Sequence, residues 1–111
     1  MIFPGRKFIG GNVRITARIY NDADSNIDPT SLVFTIKDSR GDSTSYTYGS
    51  GDDVAKETVG NYYVDFTPSY SGRHYWRWVA TGSGYALARE GSFVVDRSPH
   101  FDDEPMDYRT P

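Results

Sequence analysis

The sequence predicts an all-β domain, a two-layer sandwich of about seven short antiparallel strands. Three observations lead there. Apolar and polar residues alternate at period two in run after run, the pattern of strands with one face in a core. Gly, Pro, Asn, Asp and Ser cluster between those runs at intervals of about eight to twelve residues, the spacing of sandwich turns. The composition also suits strands: 15% of the 111 residues are aromatic, nine of them Tyr and two Trp, and such side chains fit a pleated, half-buried surface.

Residues 1–11 carry Gly and Pro together with Ile2, Phe3, Phe8 and Ile9, and read as an N-terminal arm that packs locally. The domain proper is expected over residues 12–97. Its first strand is Asn12–Tyr20, where Val13, Ile15, Ala17 and Ile19 alternate with polar or outward residues; a helix would scatter those four around its circumference. Asn21–Thr30 is a polar loop of turn formers. Leu32–Asp38 and Ser43–Tyr48 flank the turn Ser39-Arg40-Gly41-Asp42 and form a hairpin. A second turn at Gly49–Asp53 leads into a short strand, Val54–Thr58. Asn61–Thr67 places Tyr62, Val64 and Phe66 inward and ends at Pro68, which cannot donate to a ladder. Arg73–Thr81 follows, with His74, Trp76, Trp78 and Ala80 on one side. Leu87–Asp96 closes the set, with Phe93 and Val95 in the core. Residues 98–111 lose the alternation, carry prolines and acids, and read as a flexible acidic tail.

Charge and cysteine content exclude several classes. The net charge is −3, and the excess sits in the tail, where Asp102, Asp103, Glu104 and Asp107 face Arg109. The rest is balanced and holds no basic cluster, so nucleic-acid binding is not expected. With no Cys, disulfide staples and thiol chemistry are excluded. The opening MIFPGRKFIGG lacks the apolar run of a signal peptide, and no stretch approaches membrane-spanning length. A soluble chain without a membrane partner is expected.

The segment Val59-Gly60-Asn61-Tyr62-Tyr63-Val64-Asp65-Phe66-Thr67-Pro68, followed by Gly72-Arg73-His74-Tyr75-Trp76-Arg77-Trp78, resembles the late strands of filamin-type and bacterial immunoglobulin-like repeats. Glu90-Gly91-Ser92-Phe93-Val94-Val95 resembles their closing strand. The body, about residues 12–96, is also similar to small immunoglobulin-like proteins encoded among the virion genes of tailed bacteriophages. That likeness rests on Asp28-Pro29-Thr30, Thr35-Ile36-Lys37-Asp38, Thr47-Tyr48-Gly49, and Tyr75-Trp76-Arg77-Trp78 ahead of Glu90-Gly91-Ser92-Phe93. The resemblance implies an immunoglobulin-like β-sandwich and a structural part of a virus particle. A capsid decoration or cement protein, a neck component or a tail-fibre module would fit. Its partners would be major capsid, neck or tail proteins, and its location the virion, assembled in the host cytoplasm. Association with further copies of the chain is left open. The single domain departs from the long filamin arrays, which counts against a mechanical spacer.

No catalytic residues and no cofactor are expected. His74 alternates with Trp76 and Trp78 and so faces the core edge, His100 lies in the tail, and no Ser sits in a nucleophile elbow. Asp22-Ala23-Asp24-Ser25-Asn26-Ile27-Asp28 offers oxygens at alternate positions, as a calcium loop does. The full pattern needs Gly where Ile27 sits and Glu where Val33 sits, so an Asx-rich turn is the plainer reading and no metal ligands are assigned. Arg40-Gly41-Asp42 spells an adhesive tripeptide, but it falls where a hairpin needs those residues for its turn.

The candidate partner-binding residues are those of outward parity and those anchoring the tail. Tyr63, Tyr75 and Arg77 are expected to point outward, joined by Tyr46 or Tyr48 from the hairpin, as Tyr and Arg are enriched in protein interfaces. The alternatives for this face are a plain solvated sheet, or a host-surface module binding sugar rings through Tyr63 and Tyr75. Phe101, Met106 and Tyr108 are the apolar points of the tail. They would anchor it as an arm that folds on docking, the bland alternative being a floppy terminus.

Overall fold

The computed structural model describes residues 7–96. Eight strands form two sheets: β1 (Lys7–Phe8), β2 (Val13–Arg18), β3 (Ser31–Lys37), β4 (Ser43–Thr47), β5 (Val54–Thr58), β6 (Asn61–Phe66), β7 (Gly72–Gly82) and β8 (Tyr85–Asp96). One sheet has the order β1-β8-β7-β3-β4 and the other β2-β6-β5. The strand beyond the expected seven is β1, inside the N-terminal arm. It runs parallel to the end of β8, Lys7 opposite Val95 and Phe8 opposite Asp96. All other strand pairs are antiparallel.

The two-residue alternation becomes the two faces of each sheet. Val13 and Ile15 of β2, Val54 of β5, and Tyr62 and Val64 of β6 are buried from one side. They meet Leu32, Phe34 and Ile36 of β3 and Trp78 and Ala80 of β7 from the other, in one cluster. Phe34 is fully enclosed. It lies opposite Trp78 in the ladder, with ring centroids 4.8 Å apart at 54°, the tilted geometry that a ring quadrupole favours. The β2–β6 register pairs Ile15 with Val64 and Ala17 with Tyr62, so the smaller sheet presents one continuous apolar surface to this seam.

Two core positions differ from the sequence expectation. His74 is not at an edge but fully enclosed. Its ring stacks on Phe93 at 5.3 Å and 10° and meets Phe66 edge-on. A carbonyl oxygen can only accept, so Nδ1 carries the proton and donates to the Gly72 carbonyl at 3.1 Å. Nε2 has no partner, and the imidazole serves as a flat, largely apolar filler. Trp76 is only half-buried. Its ring lies across Gly91, where any Cβ would fall 2.2 Å from Cζ2. A bare backbone at residue 91 is what lets the indole lie down on β8.

Candidate functional site

The outer face of the five-stranded sheet follows from the registers. Tyr75 of β7 is flanked across the ladder by Lys37 of β3 and Ser92 of β8, and Arg77 by Thr35 and Glu90. Arg73 and Val94 form the next rung. Tyr75 is 52% exposed and Val94 47%. At the rim, the guanidinium of Arg40, from the β3–β4 turn, lies 4.6 Å over the ring of Tyr70. The face therefore gathers Lys37, Arg40, Arg73 and Arg77 around two tyrosines. Glu90 partly offsets Arg77 at 3.4 Å, an exposed pair of little energetic weight. Sequence reading found Tyr75 and Arg77 here and missed Arg73, Arg40, Lys37 and Tyr70. Parity alone gives Arg73, two residues before Tyr75; the others reach the face only through strand pairing.

The remaining candidates do not join them. Tyr63 points outward, but from β6 in the other sheet. It sits on the opposite side of the sandwich, with the Arg14 guanidinium 3.9 Å over its ring and Arg14 held by Asp65 at 2.8 Å. Tyr63 and Tyr75 therefore make no common platform. Tyr46 is not outward: it pairs with Phe34 in the β3–β4 ladder, so it shares the inward parity of Phe34 and packs on the core. Tyr48 lies past the end of β4, where the alternation no longer applies. Its ring meets Tyr62 edge-on at 5.1 Å, at the seam between sheets and not beside Tyr75. Phe101, Met106 and Tyr108 lie outside the described residues.

The acidic loop after β2 is a structural device. Asn21 Oδ1 accepts from the backbone N–H of Ala23 and Ser25, an Asx turn. Asp24 binds Arg18 at 3.1 Å. Asp28 accepts three hydrogen bonds: from Lys56 Nζ at 2.7 Å, the Gly60 N–H at 2.9 Å and the Tyr62 hydroxyl at 2.8 Å. The loop acids thus diverge to separate partners, and no group of three metal-ligating side chains converges among the described residues. In the Arg-Gly-Asp turn, Asp38 Oδ1 accepts from the N–H of Arg40 and Asp42, which ties that tripeptide into the hairpin.

The hydrogen bonds from Lys56, then Gly60, then Tyr62 favour the charged carboxylate of Asp28 and hold its pKa down at about 2. Burial, with Asp28 as a hydrogen-bonded neighbour, pushes the Tyr62 phenol up. A carboxyl whose folded pKa is depressed stabilises the fold above its unfolded pKa, near 4, and loses that contribution as pH falls towards the folded value. Stability is thus expected to fall between about pH 4 and 2. Asp65, lowered chiefly by its hydrogen bond from Arg14, adds to the same limb. In urea melts across that range, Asp28→Asn is expected to flatten the acid limb without abolishing it. An unchanged limb would show that Asp28 contributes nothing to it.

A further feature escaped sequence reading. The five-stranded sheet is wider than the three-stranded one covering it, and the overhang leaves an open groove of about 870 Å³ between β2 and β8. Its walls include Ile15 and Ala17 of β2 and Trp76, Trp78, Leu87 and Phe93 of the larger sheet. Leu87 has inward parity yet is 47% exposed, because nothing among the described residues lies over it. Compared with known proteins, the chain matches no family model, no curated protein and no solved structure.

Proposed function

We propose that this protein is a non-catalytic, immunoglobulin-like binding module that docks through the outer face of its five-stranded sheet onto an acidic protein surface. A bacteriophage particle is the assembly that the sequence resemblance suggests. The strand order supports the immunoglobulin-like reading. β2, β5 and β6 occupy the places of strands B, D and E, and β3, β4, β7 and β8 those of C, C′, F and G, the layering of such sandwiches.

The observation that carries the docking reading is Tyr75, half exposed at the centre of a face with Lys37, Arg73 and Arg77 around it. Tyr and Arg side chains supply large contact area and directional hydrogen bonds, and they dominate binding hot spots. Four cations outnumber Glu90 and Asp96, the acids of the same parity on β8, which selects an acidic partner and raises the encounter rate. The sugar-binding alternative gains no comparable support, since Tyr63 and Tyr75 lie on opposite faces.

The test uses particles purified on a density gradient from a culture in which the phage carrying this coding sequence is produced. The chain is expected in those particles by mass spectrometry. Tyr75→Ala with Arg77→Ala is expected to reduce its occupancy about tenfold or more, as loss of a hot-spot residue costs about 2 kcal/mol or more. Removing residues 99–111 is expected to weaken attachment while leaving the thermal midpoint of the domain unchanged. Particles devoid of the chain would overturn the virion reading, and full occupancy of the double variant would overturn the docking face.

A further inference from the structure

At one end of the sandwich three connections meet. The β3–β4 turn brings Ser39 and Arg40, the loop between β6 and β7 brings Ser69 to Gly72, and Ile9 follows β1. With Arg73 and Tyr75 of β7 they line an open hollow of about 740 Å³. Each connection is tied down. In the β3–β4 turn the Gly41 N–H donates to the Asp38 carbonyl at 3.0 Å, and the Asp38 N–H to the Asp42 carbonyl at 2.9 Å. The Gly10 N–H donates to the carbonyl of Pro68 at 3.0 Å, and Pro68 is fully buried. Gly72, at φ +112°, lets the β6–β7 loop close on the turn, since a Cβ there would stand 2.9 Å from Ser39 Cβ. Walls fixed before a ligand arrives lower the cost of binding it.

The positive charge of this hollow is uncompensated. Arg14, Arg18 and Arg77 each have a carboxylate partner, in Asp65, Asp24 and Glu90. Arg40 and Arg73 have none among the described residues. The Arg40 guanidinium rests on the Tyr70 ring at 4.6 Å, and Arg73 Nη1 donates to Ser92 Oγ at 2.9 Å. Both contacts are to neutral groups. They hold each guanidinium without neutralising it and leave most of its N–H donors unused. No Asp or Glu lines the hollow. In the adjoining turn, Asp38 commits Oδ1 to the N–H groups of Arg40 and Asp42.

We propose, resting on the docking reading above for the source of the group, that this hollow is an oxyanion pocket which receives one carboxylate side chain of the acidic partner. A guanidinium presents a planar fork of donors that matches the two oxygens of a carboxylate, and two such forks line the same hollow. The hydroxyls of Ser39, Ser69 and Ser71 add donors at its walls, suited to the lone pairs that the arginines leave. Tyr70 and Tyr75, both exposed, add area against which the aliphatic stem of that side chain packs.

The test uses the full-length protein alone, isotope-labelled for amide NMR, at neutral pH and constant ionic strength. The probe is N-acetylglutamic acid N-methylamide, a single side-chain carboxylate on a capped residue. It is expected to shift the amide signals of Ser39, Ser71 and Gly72 saturably and to leave those of β2 and β5 in place. The matching capped glutamine, alike in shape but uncharged, is expected to shift none of them. Arg40→Gln and Arg73→Gln are each expected to weaken the binding about tenfold, the loss of one charge-assisted hydrogen bond. Arg89→Gln removes the same charge further along β8, roughly 17 Å from the Val94 position that pairs with Arg73. That is beyond a Debye length, and the affinity is expected to stay as it was. The same spectra report whether each variant is folded.

Linear shifts that sodium chloride reproduces would overturn the pocket, as would equal binding by all three variants. Saturable binding of inorganic phosphate with none of the capped glutamate would overturn the carboxylate as its occupant. These results are independent of particle attachment. The pocket fails in the isolated protein, whereas the docking face fails by full occupancy of the Tyr75→Ala, Arg77→Ala variant on particles.

Discussion

Phe34→Ala is expected to lower the stability of this domain by about 3–5 kcal/mol, the cost of emptying a fully enclosed aromatic site. Among the described residues Phe34 is the one Phe, Tyr or Trp with no exposed surface, and it sits on β3, between β7 and β4, against Trp78. With no disulfide to hold the unfolded chain together, cohesion rests on this packing. A domain of this size has roughly 5–15 kcal/mol in total, so the variant would sit near the threshold of folding. Urea melts followed by tryptophan fluorescence would read the loss as a lower midpoint. A midpoint within experimental error of the wild type would mean that Phe34 is not the centre of the core. Phe34→Leu, which keeps much of the volume, is expected to recover a large part of the loss.

Gly60→Ala is expected to cost about 2–5 kcal/mol, from a left-handed backbone and from overpacking. Gly60 has φ +76°, and an added Cβ would stand 2.6 Å from the Ile19 carbonyl oxygen and 2.9 Å from the Asn26 Cβ. The neighbouring main chain is committed. Ile19 N–H donates to the Gly60 carbonyl, and Ile27 N–H to the Ile19 carbonyl. The Gly60 N–H donates to Asp28. Moving one strand aside therefore breaks several bonds that tie the β5–β6 turn to the loop after β2. Gly41→Ala is the control, with φ +94° but open space around the would-be Cβ; it is expected to cost about 1–2 kcal/mol, from the backbone alone. Equal thermal midpoints for the two variants would show that close approach at Gly60 is immaterial.

The strands and their inward faces were legible because they are local. Val54–Thr58 is a strand with the bounds expected between the Gly49–Asp53 turn and Gly60, and the other six differ by a residue or two at their ends, where pairing and not pattern decides. The candidate site was less legible. Parity separates in from out within a strand, but it does not say which sheet the strand joins. It placed Tyr75 and Arg77 outward and equally Tyr63, which lies across the sandwich. Tyr46 shows the same limit: the hairpin sequence offers Tyr46 or Tyr48 to the outward face, and only the pairing with Phe34 shows that Tyr46 faces inward. Tyr48 lies past the strand end, where parity has no meaning.

By itself, then, the sequence determined the all-β class, the alternation behind the core, and the turns. Each of these depends on residues within a few positions of one another, through backbone pleat and turn chemistry. The tertiary structure alone decided the division into a five-stranded and a three-stranded sheet, the clustering of Arg40, Arg73 and Lys37 around Tyr75, the three bonds on Asp28, and the groove beside β8. Those features join residues tens of positions apart, brought together by ladder registers and by the unequal widths of two sheets. No window along the chain contains that information.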